Sequence, residues 1–233
     1  MLRDRDFLIV HDLDLAQSTD GHGLADEATL AYASRLHLLH HGTHTREPVP
    51  TLSQVVSAVA EEPYPTLLEL DLKDWKPWPW RRVEELVRLV QPIKDRLTFG
   101  GDTDTNLRRM QVIDPSLPVG YTLPSYRKWR PAALDQVVSR FDAFLRMVPG
   151  ARELHVHLED VLMLERDGMT DLAARVHAQG MLLDTWTITA GTPRWQERLS
   201  QALRVGADII TTETAGALVD AATSAAAAPP QPA

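Results

Sequence analysis

Short runs of alternating apolar and polar residues recur along this chain, separated by stretches with a helical apolar stripe. Leu67–Lys73 has a period of two: Leu68, Leu70 and Leu72 fall on one face, Glu69, Asp71 and Lys73 on the other, which predicts a strand. Glu153–His157 alternates in the same way, and Leu97–Phe99, residues 118–122, Met181–Trp186 and Asp208–Thr211 are short apolar runs of strand length. Phe7–Val10 predicts a further short strand, ending at His11-Asp12. Helical spacing is carried by Leu30, Leu36 and Leu39 within residues 25–39, and by Val83, Leu86, Val87 and Val90. It recurs over 104–111 and in Leu134, Val137, Val138, Phe141, Leu145 and Val148.

Local signals punctuate these elements. Thr51 with Gln54 forms a capping box opening a helix through Val59. Gly180 is a helix stop, and Thr192-Pro193 reads as an N-cap with proline at the first helical position, starting a helix that runs to Gly206. Six strands, near 67–73, 97–99, 118–122, 153–157, 181–187 and 208–211, thus alternate with helices, the pattern of parallel strands joined by crossovers. A doubly wound open sheet and a TIM barrel both satisfy it. No G-x-G-x-x-G follows a strand, which disfavours dinucleotide binding. The length suits one domain over residues 1–220, and the Ala/Pro-rich segment 221–233 reads as a disordered tail.

Composition narrows the function. The net charge of −8 argues against nucleic-acid partners, which call for Lys and Arg at phosphates. The absence of cysteine excludes disulfides, thiolate metal sites and cysteine nucleophiles. No run reaches the ~18 apolar residues of a transmembrane segment, and the opening residues lack a signal-peptide core, so the chain as written reads as cytoplasmic, with a secreted or periplasmic place as the reading if a signal segment lies upstream. His40-His41-Gly42-Thr43-His44 has neither regular spacing nor a nearby carboxylate pair and reads as a polar loop rather than a metal cluster. Trp75, Trp78 and Trp80 sit among prolines and read as a loop packed onto the fold, with a substrate- or membrane-facing patch as the other reading. His11 beside Asp12, where a strand ends, is a candidate proton-transfer group.

The segment from Phe7 to Gly23, FLIVHDLDLAQSTDGHG, resembles the V-V-x-H-D…L…T-T-x-G-x-G signature of the glycerophosphodiester phosphodiesterase family. Further likenesses follow in order. Val49-Pro-Thr-Leu-Ser-Gln54 resembles I-P-T-L-x-E, and Asp71-Leu72-Lys73 resembles the end of N-I-E-I-K with Asp for Glu. Asp114-Pro115 matches a D-P, Leu183–Ile188 resembles v-x-x-W-T-V-N, and Gly206–Glu213 resembles G-V-D-x-I-x-T-D.

The resemblance implies a TIM (β/α)8-type barrel that hydrolyses small-molecule glycerophosphodiesters to glycerol phosphate and an alcohol, with a divalent cation, Mg2+ or Ca2+. It implies His11 as the general acid supported by Asp12, Asp71 as a metal ligand, and Lys73 and Trp186 as substrate-binding residues. For Lys73 a plain ion pair with Asp71 or Glu69 stands beside the phosphate role, and for Trp186 plain packing stands beside a wall for the glycerol. The family's pattern opens with H-R-G and E-N-T, then E-x-D-V on a second strand; the chain carries none of these. The expectation is therefore an incomplete barrel of about six strands, lacking the first ~45 residues, a length set by two βα units. Weak or absent cation binding and lost activity follow from that expectation. A non-catalytic barrel remnant that binds a partner is the alternative. A metal-independent phosphatidylinositol-type phospholipase is a third reading, against which Asp71 speaks.

Overall fold

A computed structural model describes residues 6–40, 42–64, 67–73, 76–101, 104–123, 125, 126, 138, 139, 141–143, 146 and 150–227. The chain packs as two compact units, Met1–Val119 and Gly120–Ala233.

The first unit begins with extended chain rather than the expected strand. Leu8 makes one antiparallel bridge to Thr51, and Leu52 N donates to Phe7 O at 2.8 Å. The partner of Phe7–Val10 is thus the entry to a helix, which offers too few groups for a ladder. A helical turn, α1 (Leu15–Ser18), follows, capped by Asp14 and anchored by buried Leu15.

Over residues 25–39 the structure departs from the expected helix. Only α2 (Leu30–Ala33) is helical, and β1 (His37–His40) pairs antiparallel with β2 (Thr43–Pro48). Leu36 is buried with Leu8, Leu15, Ala25, Ala28, Ala33 and Val49, whereas Leu30 is 38% exposed, so the helical stripe does not face one core. Local hydrogen bonds fix the alternative. Asp20 accepts from His37 N at 2.8 Å, and the Thr45 hydroxyl donates to Leu38 O at 2.7 Å. Of the histidine run, His40 and His44 thus sit on a hairpin, while His41 lies outside the described residues.

Helix α3 (Leu52–Glu61) starts on the expected capping box: Gln54 N donates to Thr51 Oγ1, and Thr51 N to Gln54 Oε1 at 2.9 Å. Thr51→Ala is expected to cost about 0.5–2 kcal/mol, the usual worth of such a cap. Urea denaturation monitored at the helix signal checks it, and an unchanged midpoint would contradict the assignment.

Next comes a parallel β–α–β unit. Strand β3 (Leu68–Leu72) pairs in register with β4 (Leu97–Gly101), so that Asp71 faces Gly100 and Leu72 faces Gly101. The crossover is α4 (Trp80–Val90), whose Val83, Leu86, Val87 and Val90 are buried as predicted, and a 3-10 turn over Gln91–Arg96. Arg96 ties this turn to the end of α3 by donating to the carbonyls of Val59, Glu62 and Tyr64.

Helix α5 (Asp104–Ile113) leads to Asp114-Pro115. There the Ser116 hydroxyl, Lys94 and Gln91 donate to the Asp114 carboxylate and hold it well below the usual carboxylate range. Trp78 is buried, its ring 5.5 Å from Phe7, while Trp80 stays 47% exposed with Arg109 over its ring. The tryptophan loop therefore packs at Trp78. Trp75 lies outside the described residues.

The second unit is a four-stranded parallel sheet in chain order: β5 (Gly120–Thr122), β6 (Glu153–His157), β7 (Leu182–Trp186) and β8 (Ile209–Ile210). Accompanying it among the described residues are α6 (Leu158–Arg166), α7 (Leu172–His177), α8 (Trp195–Arg204) and α9 (Ala215–Ala227). Leu158, Ile188, Leu199, Ala202 and Leu218 form one buried cluster. Of the helix predicted between Leu134 and Val148, Phe141 is described and buried; Leu134, Val137, Leu145 and Val148 lie outside the described residues.

Two boundaries differ from the expectation. Helix α8 is entered through Arg194, in the left-handed region at φ 62°, and not through Thr192. The Thr192 hydroxyl is spent on Thr189 O at 2.6 Å and caps nothing. Helix α9 runs on to Ala227, into the segment expected to be disordered, because alanine has the highest helix propensity of all residues. No helix among the described residues is long and apolar enough to cross a membrane.

Candidate functional site

In the unit Met1–Val119 a cleft of about 270 Å³ is lined by the segment Phe7–Leu13, by Glu69–Leu72 of β3 with Lys73 directly after it, and by Trp78, Leu86 and Phe99. Parallel pairing brings Asp71 to the C-terminal end of β3, and Lys73 follows directly. His11 and Asp12 reach the same cleft from the segment pinned to Thr51 and Pro50.

Lys73 Nζ donates to Asp71 Oδ2 at 2.5 Å, with both side chains part-exposed. The ion-pair reading of Lys73 is thus realised with Asp71, and the ammonium remains on the cleft wall. His11 Nδ1 lies 3.2 Å from Asp12 Oδ1, its side chain 80% exposed. The Ser18 hydroxyl donates to Asp12 Oδ2 at 2.6 Å. That hydroxyl is the main reason the Asp12 carboxyl is held below its ordinary range; His11 and the Lys73 charge add to it, against partial burial.

Four of the five residues singled out in the sequence, His11, Asp12, Asp71 and Lys73, therefore share one cleft. The fifth, Trp186, ends β7 in the other unit. It is paired in register with His157, and the two rings meet edge to face at 4.8 Å. His157 also caps α6, its Nδ1 accepting from Glu159 N at 3.2 Å. The imidazole is thereby fixed against the indole.

Sequence reasoning passed over two features. Ser18 was unmarked because nothing in a polar loop shows that it folds back on Asp12. The second feature is a buried polar group within the sheet of the second unit. His155 Nε2 lies 3.5 Å from Glu153 and Nδ1 lies 3.7 Å from Asp184, all three side chains being less than 10% exposed. The Thr211 hydroxyl donates to Asp184 at 3.1 Å. The alternation Glu153, His155, His157 put these side chains on one strand face, and that was the available signal.

For a divalent cation the donors at Asp71 fit only loosely. One of its two oxygens carries an ammonium, which opposes a second cation, and Ca2+ takes ~6–8 oxygens.

The family model described as "Glycerophosphoryl diester phosphodiesterase family" matches residues 1–217. Among solved structures, a glycerophosphoryl diester phosphodiesterase from Parabacteroides distasonis is 16% identical, with 94% of this chain and 71% of that one covered and a TM-score of 0.67. A second from the same organism is 18% identical, with 97% and 81% covered and a TM-score of 0.66. An Oleispira antarctica phosphodiesterase, solved in complex with the product sn-glycerol-3-phosphate, is 20% identical, with 93% and 79% covered and a TM-score of 0.63. No curated protein matches the chain. The structural likenesses show the fold class, a TIM-type α/β barrel; among the described residues six strands pair in parallel, two in the first unit and four in the second, without a closed barrel. The match over residues 1–217 shows the lineage: the chain belongs to the glycerophosphoryl diester phosphodiesterase family and is, by that membership, a phosphodiesterase-type enzyme.

Proposed function

We propose that the chain hydrolyses glycerophosphodiesters to glycerol phosphate and an alcohol, with its chemistry at the cleft of His11 and Lys73. The observation that carries this reading is the gathering of His11, Asp12, Asp71 and Lys73 on one cleft. The product complex of the Oleispira relative supports a glycerol phosphodiester as the substrate class.

Lys73 binds a phosphoryl oxygen; its ammonium is already held at the cleft by Asp71, so little rotamer freedom remains to be lost. His11 protonates the departing alkoxide from Nε2, since Nδ1 faces Asp12. Water supplies the oxygen that replaces the alcohol on phosphorus and loses a proton to solvent as that bond forms. The bond from phosphorus to the alcohol oxygen breaks, and the proton of His11 ends on that oxygen. An imidazole this exposed regains its proton from solvent. Asp71, with Glu69 on the same strand face, is the place for a loosely held Mg2+ or Ca2+, which when bound would polarise the phosphoryl oxygens. The partner in this reading is a small molecule, and the acidic chain has no role for nucleic acid.

The test is direct. The protein is incubated with glycerophosphocholine and millimolar Mg2+ or Ca2+, and phosphorus NMR follows the appearance of glycerol phosphate. Release of glycerol phosphate and choline in equal amounts is expected. No release above buffer with either cation would overturn the reading.

A further inference from the structure

We propose that Ser18 is a positioning residue for His11, acting through Asp12; this rests on the reading of His11 as the proton donor. Ser18 ends α1, a turn that cannot drift: Leu15 is fully buried beneath it and Asp14 caps it, while the Thr19 hydroxyl closes it onto Leu15 O at 2.7 Å. The half-buried Ser18 hydroxyl is thus aimed at Asp12 Oδ2, 2.6 Å away, and Asp12 Oδ1 is left to His11 Nδ1 at 3.2 Å.

An ionised carboxylate only accepts, so the contact with Asp12 puts a proton on Nδ1 of the neutral imidazole and leaves Nε2 as the nitrogen that exchanges protons at the cleft. The Lys73 charge also acts on Asp12. A carboxylate without the serine is free to turn from the exposed imidazole toward that ammonium. Such a turn would release His11. One hydroxyl therefore keeps the ring of His11 in one tautomer.

The tautomer is read without turnover. Long-range proton–nitrogen NMR of labelled protein at about pH 8.5, where an ordinary imidazole is neutral, reports which ring nitrogen carries the proton. The His11 signals are assigned by their loss in His11→Gln. The wild type and Ser18→Thr are expected to show the Nδ1–H pattern. Ser18→Ala and Asp12→Asn are expected to lose it as the main form, with the backbone amide spectrum otherwise unchanged. A wild type in the Nε2–H form, or a Ser18→Ala spectrum matching the wild type, would overturn the proposal. A serine-dependent Nδ1–H form in a protein that fails to cleave glycerophosphocholine would support the positioning link and sink the hydrolytic reading alone.

Discussion

Gly120→Ala is expected to destabilise the second unit by about 1–3 kcal/mol. A Cβ at this position would lie 2.2 Å from His155 Nε2, 2.9 Å from Cδ2 and 3.1 Å from Cε1. The ring has nowhere to go without cost. It is buried between Glu153 and Asp184, and turning it away would leave two buried carboxylates without the imidazole beside them. Overpacking costs typically ~1–3 kcal/mol, and leaving a buried polar group without its partner a similar ~1–3 kcal/mol. The ring will settle for some mixture of the two. Against a total of ~5–15 kcal/mol for an ordinary domain, the loss is large. Glycine at 120 is thus a seat for an imidazole, chosen for the space it leaves. Urea denaturation of Gly120→Ala, of His155→Ala and of the pair checks this as a double-mutant cycle. The glycine substitution should cost much less once His155 is gone. Equal costs in both backgrounds would show that the ring and the glycine do not compete for the same space.

The largest effect on activity is expected from His11→Ala, a fall in kcat of roughly 10²–10⁴, the usual worth of a positioned proton donor. Stability should stay unchanged, because the His11 side chain is 80% exposed and touches only Asp12 among its named partners. Lys73→Ala should act differently. Its ammonium meets phosphate in the ground state as well as in the transition state, so KM should rise more steeply than kcat falls. Steady-state rates with glycerophosphocholine separate the two. A His11→Ala enzyme within threefold of wild type would remove His11 from the chemistry.

Much of the frame was legible because alternation and capping are local. Leu67–Lys73 announced β3 by its period of two, Glu153–His157 announced β6, and Thr51 with Gln54 announced the start of α3. The β1–β2 hairpin was hidden since Leu30, Leu36 and Leu39 satisfy a helical spacing. What decides against the helix is Asp20 on the amide of His37, a contact 17 residues apart that no window of pattern contains. The same limit applies to the site. Asp71 and Lys73 lie at a strand end, and that rule is general to this class of fold. Ser18 and the pairing of His157 with Trp186 depend on how a loop turns and on strand register, neither of which single-strand periodicity encodes.

The order of the strands bears on how the chain acquires its structure. Every ladder among the described residues joins strands that are neighbours in sequence: β1 with β2, β3 with β4, and β5 through β8 in succession. Closing each pair therefore costs only the loop entropy of one turn or one crossover, which grows slowly with length. Low separation between contacting residues goes with fast folding. A chain emerging from the ribosome can zip each pair once its second strand is out. Among the described residues, no strand has to wait, exposed, for a partner made much later.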